Sequence, residues 1–193
     1  LSTPAEPNLV ERLQAGSLEA LGSLYDRHRQ MVYRTALAIT GDAEAAADLL
    51  QDVFLRLHRF ADKVDPNRPL EPWLYRVTAN LAYTWVKQRQ RWFHPLEDFA
   101  EWITGSKKNS LQQMAEIDDE LRLVGLAIAG LPLPQRVVVV LYYLNDLSLQ
   151  EISEILEIPV GTVKSRLHYG RETLKKQLGL SGEALSEATY EFT

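Results

Sequence analysis

The stretch "SLQEISEILEIPVGTVKSRLHYGRETLKKQL", residues 148–178, decides the fold. Ser148 and Glu151 stand three apart ahead of an apolar run and fit a capping box. There the hydroxyl accepts from the amide of Glu151, and the carboxylate reaches back to the amide of Ser148. The short helix they start turns Leu149, Ile152, Ile155 and Leu156 inward, and Glu157-Ile158-Pro159 stops it. A second helix starts near Val160 and buries Val163, Leu167, Gly170 and Leu174, spaced 4, 3 and 4. Two helices joined by so short a turn make a helix-turn-helix.

At about 100° per residue, Gly161, Ser165, His168 and Glu172 fall opposite that buried stripe, flanked by Thr162, Lys164 and Tyr169. The N-terminal part of such a second helix enters the major groove of DNA. Gly161 permits close approach, and Ser165, His168 and Tyr169 can reach base edges. Lys164, Arg166, Arg171, Lys175 and Lys176 suit phosphates, which add affinity but carry no sequence information. Residues 160–178 hold five basic residues against Glu172, a local net of +4 in a chain whose net charge is −5. The charges alone equally fit a solvated helix surface. Capped helix, tight turn and basic second helix together point to DNA.

The rest of the chain reads as all-α: two small helical domains joined by a flexible linker, the C-terminal one holding the helix-turn-helix. At 193 residues, 46% hydrophobic and 24% charged, it has the make-up of a folded protein. Residues 1–8 read as a loose tail and 9–92 as the first domain. Gly41-Asp42 separates two of its helices, glycine ending one and Asp42 capping the next, 43–60. Pro66, Pro69 and Pro72 interrupt before a helix over 72–91. Residues 93–117 lose periodicity and read as the linker, 118–178 form the second domain, and 179–193 a polar tail. The run "RVVVVLYYL" favours strand locally but has no partner strand, so helix is expected. The absence of cysteine excludes disulfides and thiolate metal sites, the scattered histidines suggest no metal, and no cofactor is expected. No apolar run approaches the roughly 20 residues a membrane span needs. No export signal is visible, so a cytoplasmic setting is expected; the chain opens on Leu1, so its natural start is expected upstream.

Two further surfaces stand out. On the 72–91 helix, Arg76, Asn80, Tyr83, Lys87 and Arg91 lie within about 80° of one another, with Leu74, Thr78, Leu81 and Trp85 opposite. Cations for phosphates, an amide for base edges and a ring for stacking are the ingredients of single-strand capture. Trp73 and Tyr75 are read as packing residues. On the 43–60 helix, Asp42, Glu44, Asp48 and Asp52 line the first half, which also suits the positive end of a helix.

The segment "LPLPQRVVVVLYYLNDLSLQEISEILEIPVGTVKSRLHYGRETLKKQL" resembles the minus-35-recognising domain of bacterial sigma factors, in particular the extracytoplasmic-function (ECF) group of the sigma-70 family. "GDAEAAADLLQDVFLRLHRF" and "PLEPWLYRVTANLAYTWVKQRQR" resemble the ECF domain that binds core polymerase and opens the minus-ten element. Response regulators share a related helix-turn-helix but place an α/β domain before it, and this chain lacks that alternation. The resemblance implies that Thr162, Lys164, Ser165, Arg166, His168 and Tyr169 read or grip the minus-35 element. It places Asn80 on an unstacked minus-ten base, and Asp48, Leu49, Gln51, Asp52 and Phe54 on a coiled coil of the polymerase largest subunit. It also implies an anti-sigma factor that masks both domains. Two positions depart from the pattern: Tyr169, often arginine in the family, and Thr84, usually aspartate. Tyrosine cannot pair bidentately with guanine as arginine does, so the preferred element is expected to differ. A helix-turn-helix regulator without sigma activity is the alternative; no nucleophile elbow, phosphate loop or metal cluster speaks for an enzyme.

Overall fold

Helices α1 (Glu6–Gln14), α2 (Leu18–Thr40), α3 (Ala43–Arg59) and α4 (Glu71–Trp92) make the N-terminal half, with a 3-10 turn at Ala61–Lys63. Helices α5 (Asp119–Ala129), α6 (Leu133–Val139), α7 (Leu149–Leu156) and α8 (Val160–Leu178) make the C-terminal half. The computed structural model describes residues 6–92 and 119–179, with the side chains of 8–89 and 123–179; the expected linker and most of the expected tail lie outside them. Among the described residues every regular element is helical.

Local chemistry sets most boundaries where expected. Gly41 ends α2 in the left-handed conformation (φ 70°), its N–H on the Leu37 carbonyl, and Asp42 caps α3 by accepting from the Ala45 amide. One expectation is corrected. Helix α1 begins at Glu6, inside the expected tail, and its Leu9, Val10 and Leu13 are buried. The valine run is helical, as expected, but passes from α6 into a wider π-type turn, Val140–Leu144. The chain then bends through Asn145 and Asp146 (φ 53°), and the Leu147 amide returns to the Leu141 carbonyl at 3.2 Å.

Two buried clusters hold the fold. One lies within α1–α4 and includes Leu9, Leu24, Val32, Leu57 and Leu74. The other runs without interruption from Ile39, Tyr75 and Ala79 of α2 and α4 into Leu141, Ile152 and Leu167 of the C-terminal half. Each such leucine or isoleucine contributes about 1.5–3 kcal/mol through removal from water. The halves are therefore seated on each other.

Within the C-terminal half α8 crosses α6 closely at Gly170. A β-carbon there would lie 2.7 Å from Cγ2 of Val139, itself buried and unable to move aside. Overpacking costs about 1–3 kcal/mol, and alanine's better helix propensity offsets about 1. Gly170→Ala should thus lower stability by about 1 kcal/mol, read as a shift in the urea midpoint.

Candidate nucleic-acid interface

Helix α8 is held by its partner α7, whose capping box is complete. The Ser148 hydroxyl accepts from the Glu151 amide at 3.2 Å, and the Ser148 amide donates to the Glu151 carboxylate at 2.8 Å. The Ser148 hydroxyl also donates to that carboxylate at 2.7 Å, and these two bonds from Ser148, the hydroxyl's first, hold the Glu151 carboxyl below its usual range. The box therefore contributes above the ordinary glutamate pKa and fades as pH falls through the depressed value. The turn is set by Glu157 in the left-handed region (φ 54°) and by the Ser153 hydroxyl, which donates to the Ile158 carbonyl at 2.6 Å. Val163, Leu167 and Gly170 are buried as expected, and Leu174 is half-buried.

The opposite side of α8 faces solvent. Gly161, Lys164, Ser165, His168 and Tyr169 are exposed, while Thr162, Arg166 and Arg171 are half-buried at its edges. A β-carbon at Gly161 would meet nothing within 4 Å, so the backbone is open to close approach. Tyr169 stands 61% exposed, with the His168 ring edge-on at 5.4 Å, and the two form one aromatic projection. The Ser165 hydroxyl donates to the Thr162 carbonyl at 3.0 Å and can rotate away toward a base. At the border, burial raises the Tyr143 phenol and nearby Arg171 partly offsets it. Lys175 pairs with Glu172 at 3.2 Å, so that acid's charge is answered within its own helix.

The α4 face comes together only in part. Asn80 and Lys87 are exposed, and Tyr83 is half-buried with the Lys87 ammonium 5.1 Å from its ring centroid. The Thr84 hydroxyl donates to the Asn80 backbone carbonyl at 2.8 Å, one turn back along the same helix. Arg76 is drawn off this face: it donates to Glu157 Oε1 at 2.8 Å and to the Glu154 carbonyl at 2.7 Å. The side chain of Arg91 lies outside the described residues. Leu74 and Thr78 are fully buried, but Leu81 and Trp85 are half-buried. Trp85 carries the Arg89 guanidinium 5.0 Å from its ring, and Arg89 also pairs with Asp42 at 2.6 Å, tying α4 to the start of α3. Tyr75 packs, as read from the sequence, but in the buried cluster shared with the other half, and burial raises its phenol.

On α3, Asp48, Gln51 and Asp52 are exposed, whereas Leu49 and Phe54 are each 5% exposed and sit in the core. Phe54 lies edge-on to Tyr25 at 4.9 Å. An apolar residue that the sequence reading passed over shares the acidic strip: Leu55, 64% exposed, stands three and four residues beyond Asp52 and Gln51. The helical period signals it once the buried stripe is known. Among the described residues no helix is long and apolar enough to cross a membrane, and no acidic or histidine cluster could hold a metal ion.

The family profile of sigma-70 region 2 matches residues 24–92, and that of sigma-70 region 4 matches 121–174. Against the ECF RNA polymerase sigma factor SigW of Bacillus subtilis the chain is 34% identical over 176 residues, covering 88% of this chain and 94% of that one. Among solved structures, CnrH in complex with the cytosolic domain of CnrY aligns with a TM-score of 0.65 at 22% identity, over 93% of this chain and 100% of that one. The sigma factor RpoE in complex with the anti-sigma factor NepR, from Bartonella quintana, aligns at 0.60 and 18% identity, over 80% and 93%. These two likenesses show the fold. A region 2 helical unit followed by a helix-turn-helix of region 4 defines a promoter-reading initiation factor. The chain belongs to the ECF group of RNA polymerase sigma factors, and it directs the polymerase to promoters.

Proposed function

We propose that the factor divides its work between two units, residues 6–92 and 119–178, each serving one promoter element. Asp48, Gln51 and Asp52 grip a basic surface of the core polymerase, with Leu55 as their apolar neighbour. Leu49 and Phe54 act from beneath by shaping α3. Asn80, Tyr83 and Lys87 capture unstacked minus-ten bases and backbone, joined by Arg76 and Arg91. Gly161, Thr162, Lys164, Ser165, Arg166, His168, Tyr169 and Arg171 read and hold the minus-35 duplex.

The observation that carries this reading is the outward face of α8, where Ser165, His168 and Tyr169 stand exposed on a helix anchored by buried Val163 and Leu167. Tyr169 is where the preferred element becomes this protein's own: a phenol and ring offer one hydrogen bond or contact with a thymine methyl, not a bidentate guanine pair. The chain contributes no catalysis and works in the cytoplasm. An anti-sigma factor is its expected regulator, supported by the solved complex of RpoE with NepR.

The net charge of −5 fits a protein that need not hold DNA alone. Two weak sites on one scaffold gain through effective concentration once polymerase fixes their spacing. Transcription with core polymerase on a promoter library tests the whole reading. Initiation should depend on the chain and select paired minus-35 and minus-ten elements. Tight, specific duplex binding by the chain alone, with no initiation from core enzyme, would point instead to a conventional regulator.

A further inference from the structure

We propose that Tyr143 is a further DNA-holding residue: with Arg171 it clamps one phosphate at the edge of the minus-35 duplex and so sets the tilt of α8 in the groove. This rests on the minus-35 role proposed above for α8; the placing of the two side chains does not.

Tyr143 is reached through an irregularity of the backbone. Helix α6 widens into the π-type turn Val140–Leu144, and such turns are rare and often mark functional sites. In a continuous α-helix Tyr143 would fall in line with Val140, Val139 and Arg136, three, four and seven residues back, all of them buried. On the widened turn it is 43% exposed instead. The Tyr142 ring meets it edge-on at 4.9 Å and limits how far it can swing.

Its surroundings belong to α8. Val139, one turn before Tyr143, lies against Gly170, where a β-carbon would come within 2.7 Å of its Cγ2. Arg171 is the next residue along α8, half-buried at the edge of the outward face, and its charge acts on the Tyr143 phenol. Lys164, seven residues earlier, continues the same flank toward the start of the helix. A hydroxyl and a guanidinium from two different elements thus border one side of the reading helix.

A phosphate oxygen accepts from both groups, and such contacts fix register and orientation without reading bases. Burial raises the Tyr143 phenol more than Arg171 lowers it, so the hydroxyl remains a donor at neutral pH. The phenol is neutral and therefore adds a bond to the phosphate without adding to the salt dependence that cations bring. Anchors on two elements also oppose rolling of α8 about its own axis, which a single flexible cation does not.

The full chain assembled with core polymerase on a fluorescein-labelled promoter duplex tests the clamp. Tyr143→Phe removes only the hydroxyl. It should weaken binding about five- to tenfold, equally on every minus-35 sequence and with the salt slope unchanged. Arg171→Gln should also weaken binding and lower the slope by about one. Methylphosphonate substituted at one phosphate at a time should find a single position where the parent loses affinity and both variants lose little. Tyr142→Phe removes the neighbouring hydroxyl and should change nothing. Parent-like binding by Tyr143→Phe, a loss that varies with the minus-35 bases, different phosphates for the two variants, or an equal loss for Tyr142→Phe overturns the proposal. So does a weaker hold of Tyr143→Phe on core polymerase without DNA, which would assign the hydroxyl to the polymerase. Scrambling the minus-35 element separates the two readings. If the parent binds the scrambled duplex equally well, the role of α8 fails; if scrambling weakens the parent but Tyr143→Phe binds like it, only the clamp fails.

Discussion

Replacing Arg136 with methionine should lower the unfolding free energy by about 3 kcal/mol, seen as an earlier urea midpoint. Arg136 is only 8% exposed, and burial pushes its pKa down. It donates to the carbonyl of Ile39 at 2.7 Å and of Leu131 at 3.1 Å, and also to that of Ala129. Ile39 lies at the end of α2 and Ala129 closes α5, so one side chain satisfies the free carbonyls of two helix ends. Methionine fills similar space but orphans three acceptors, each costing about 1–3 kcal/mol, while relief of the buried charge returns part of the loss. Lysine, a point donor without the fork, should recover only some of the stability. A methionine variant as stable as the parent would mean that the carbonyls find water instead.

Asp48→Arg combined with Asp52→Arg should weaken association with core polymerase by about 100-fold or more, since like charges placed across an interface cost several kcal/mol. Both carboxylates are exposed on α3, so helix content and thermal midpoint should stay unchanged. Titration of labelled protein with core enzyme reads the affinity directly. Leu55→Ala on the same strip should cost less but in the same direction. If the reversed pair binds as tightly as the parent, the acidic strip is only a complement to the α3 helix dipole.

Much of this was legible because its causes are local. The capping box of Ser148 and Glu151, the Gly41 terminator and the Asp42 cap each act within a few residues, and all stand where the sequence puts them. Helix α4 departs from its expected 72–91 by one residue at each end. Only the first residues of α1, 6–8, read as tail, because Pro4 and Pro7 look like breakers, although proline is tolerated in a first helical turn, where no intrahelical donor is needed. The candidate site was legible to the same depth. The outward residues of α8 follow from the 3.6-residue period, and so does the acidic strip of α3. What the resemblance did not carry is depth: Leu49 and Phe54, which it places with that strip on the polymerase, face the core.

The long-range partners left no comparable trace. Arg136 reads as one cation in a run of valines, and its acceptor on Ile39 is 97 residues away. Arg76 reads as a member of a DNA-facing row, and its partner Glu157 is 81 residues away. By itself the sequence determined the helices, their ends and the direction each residue faces, because backbone geometry at about 100° per residue needs no distant information. Only the tertiary structure decided which outward faces remain in water. That depends on how two amphipathic surfaces, far apart in the chain, cover each other, and no local period encodes it.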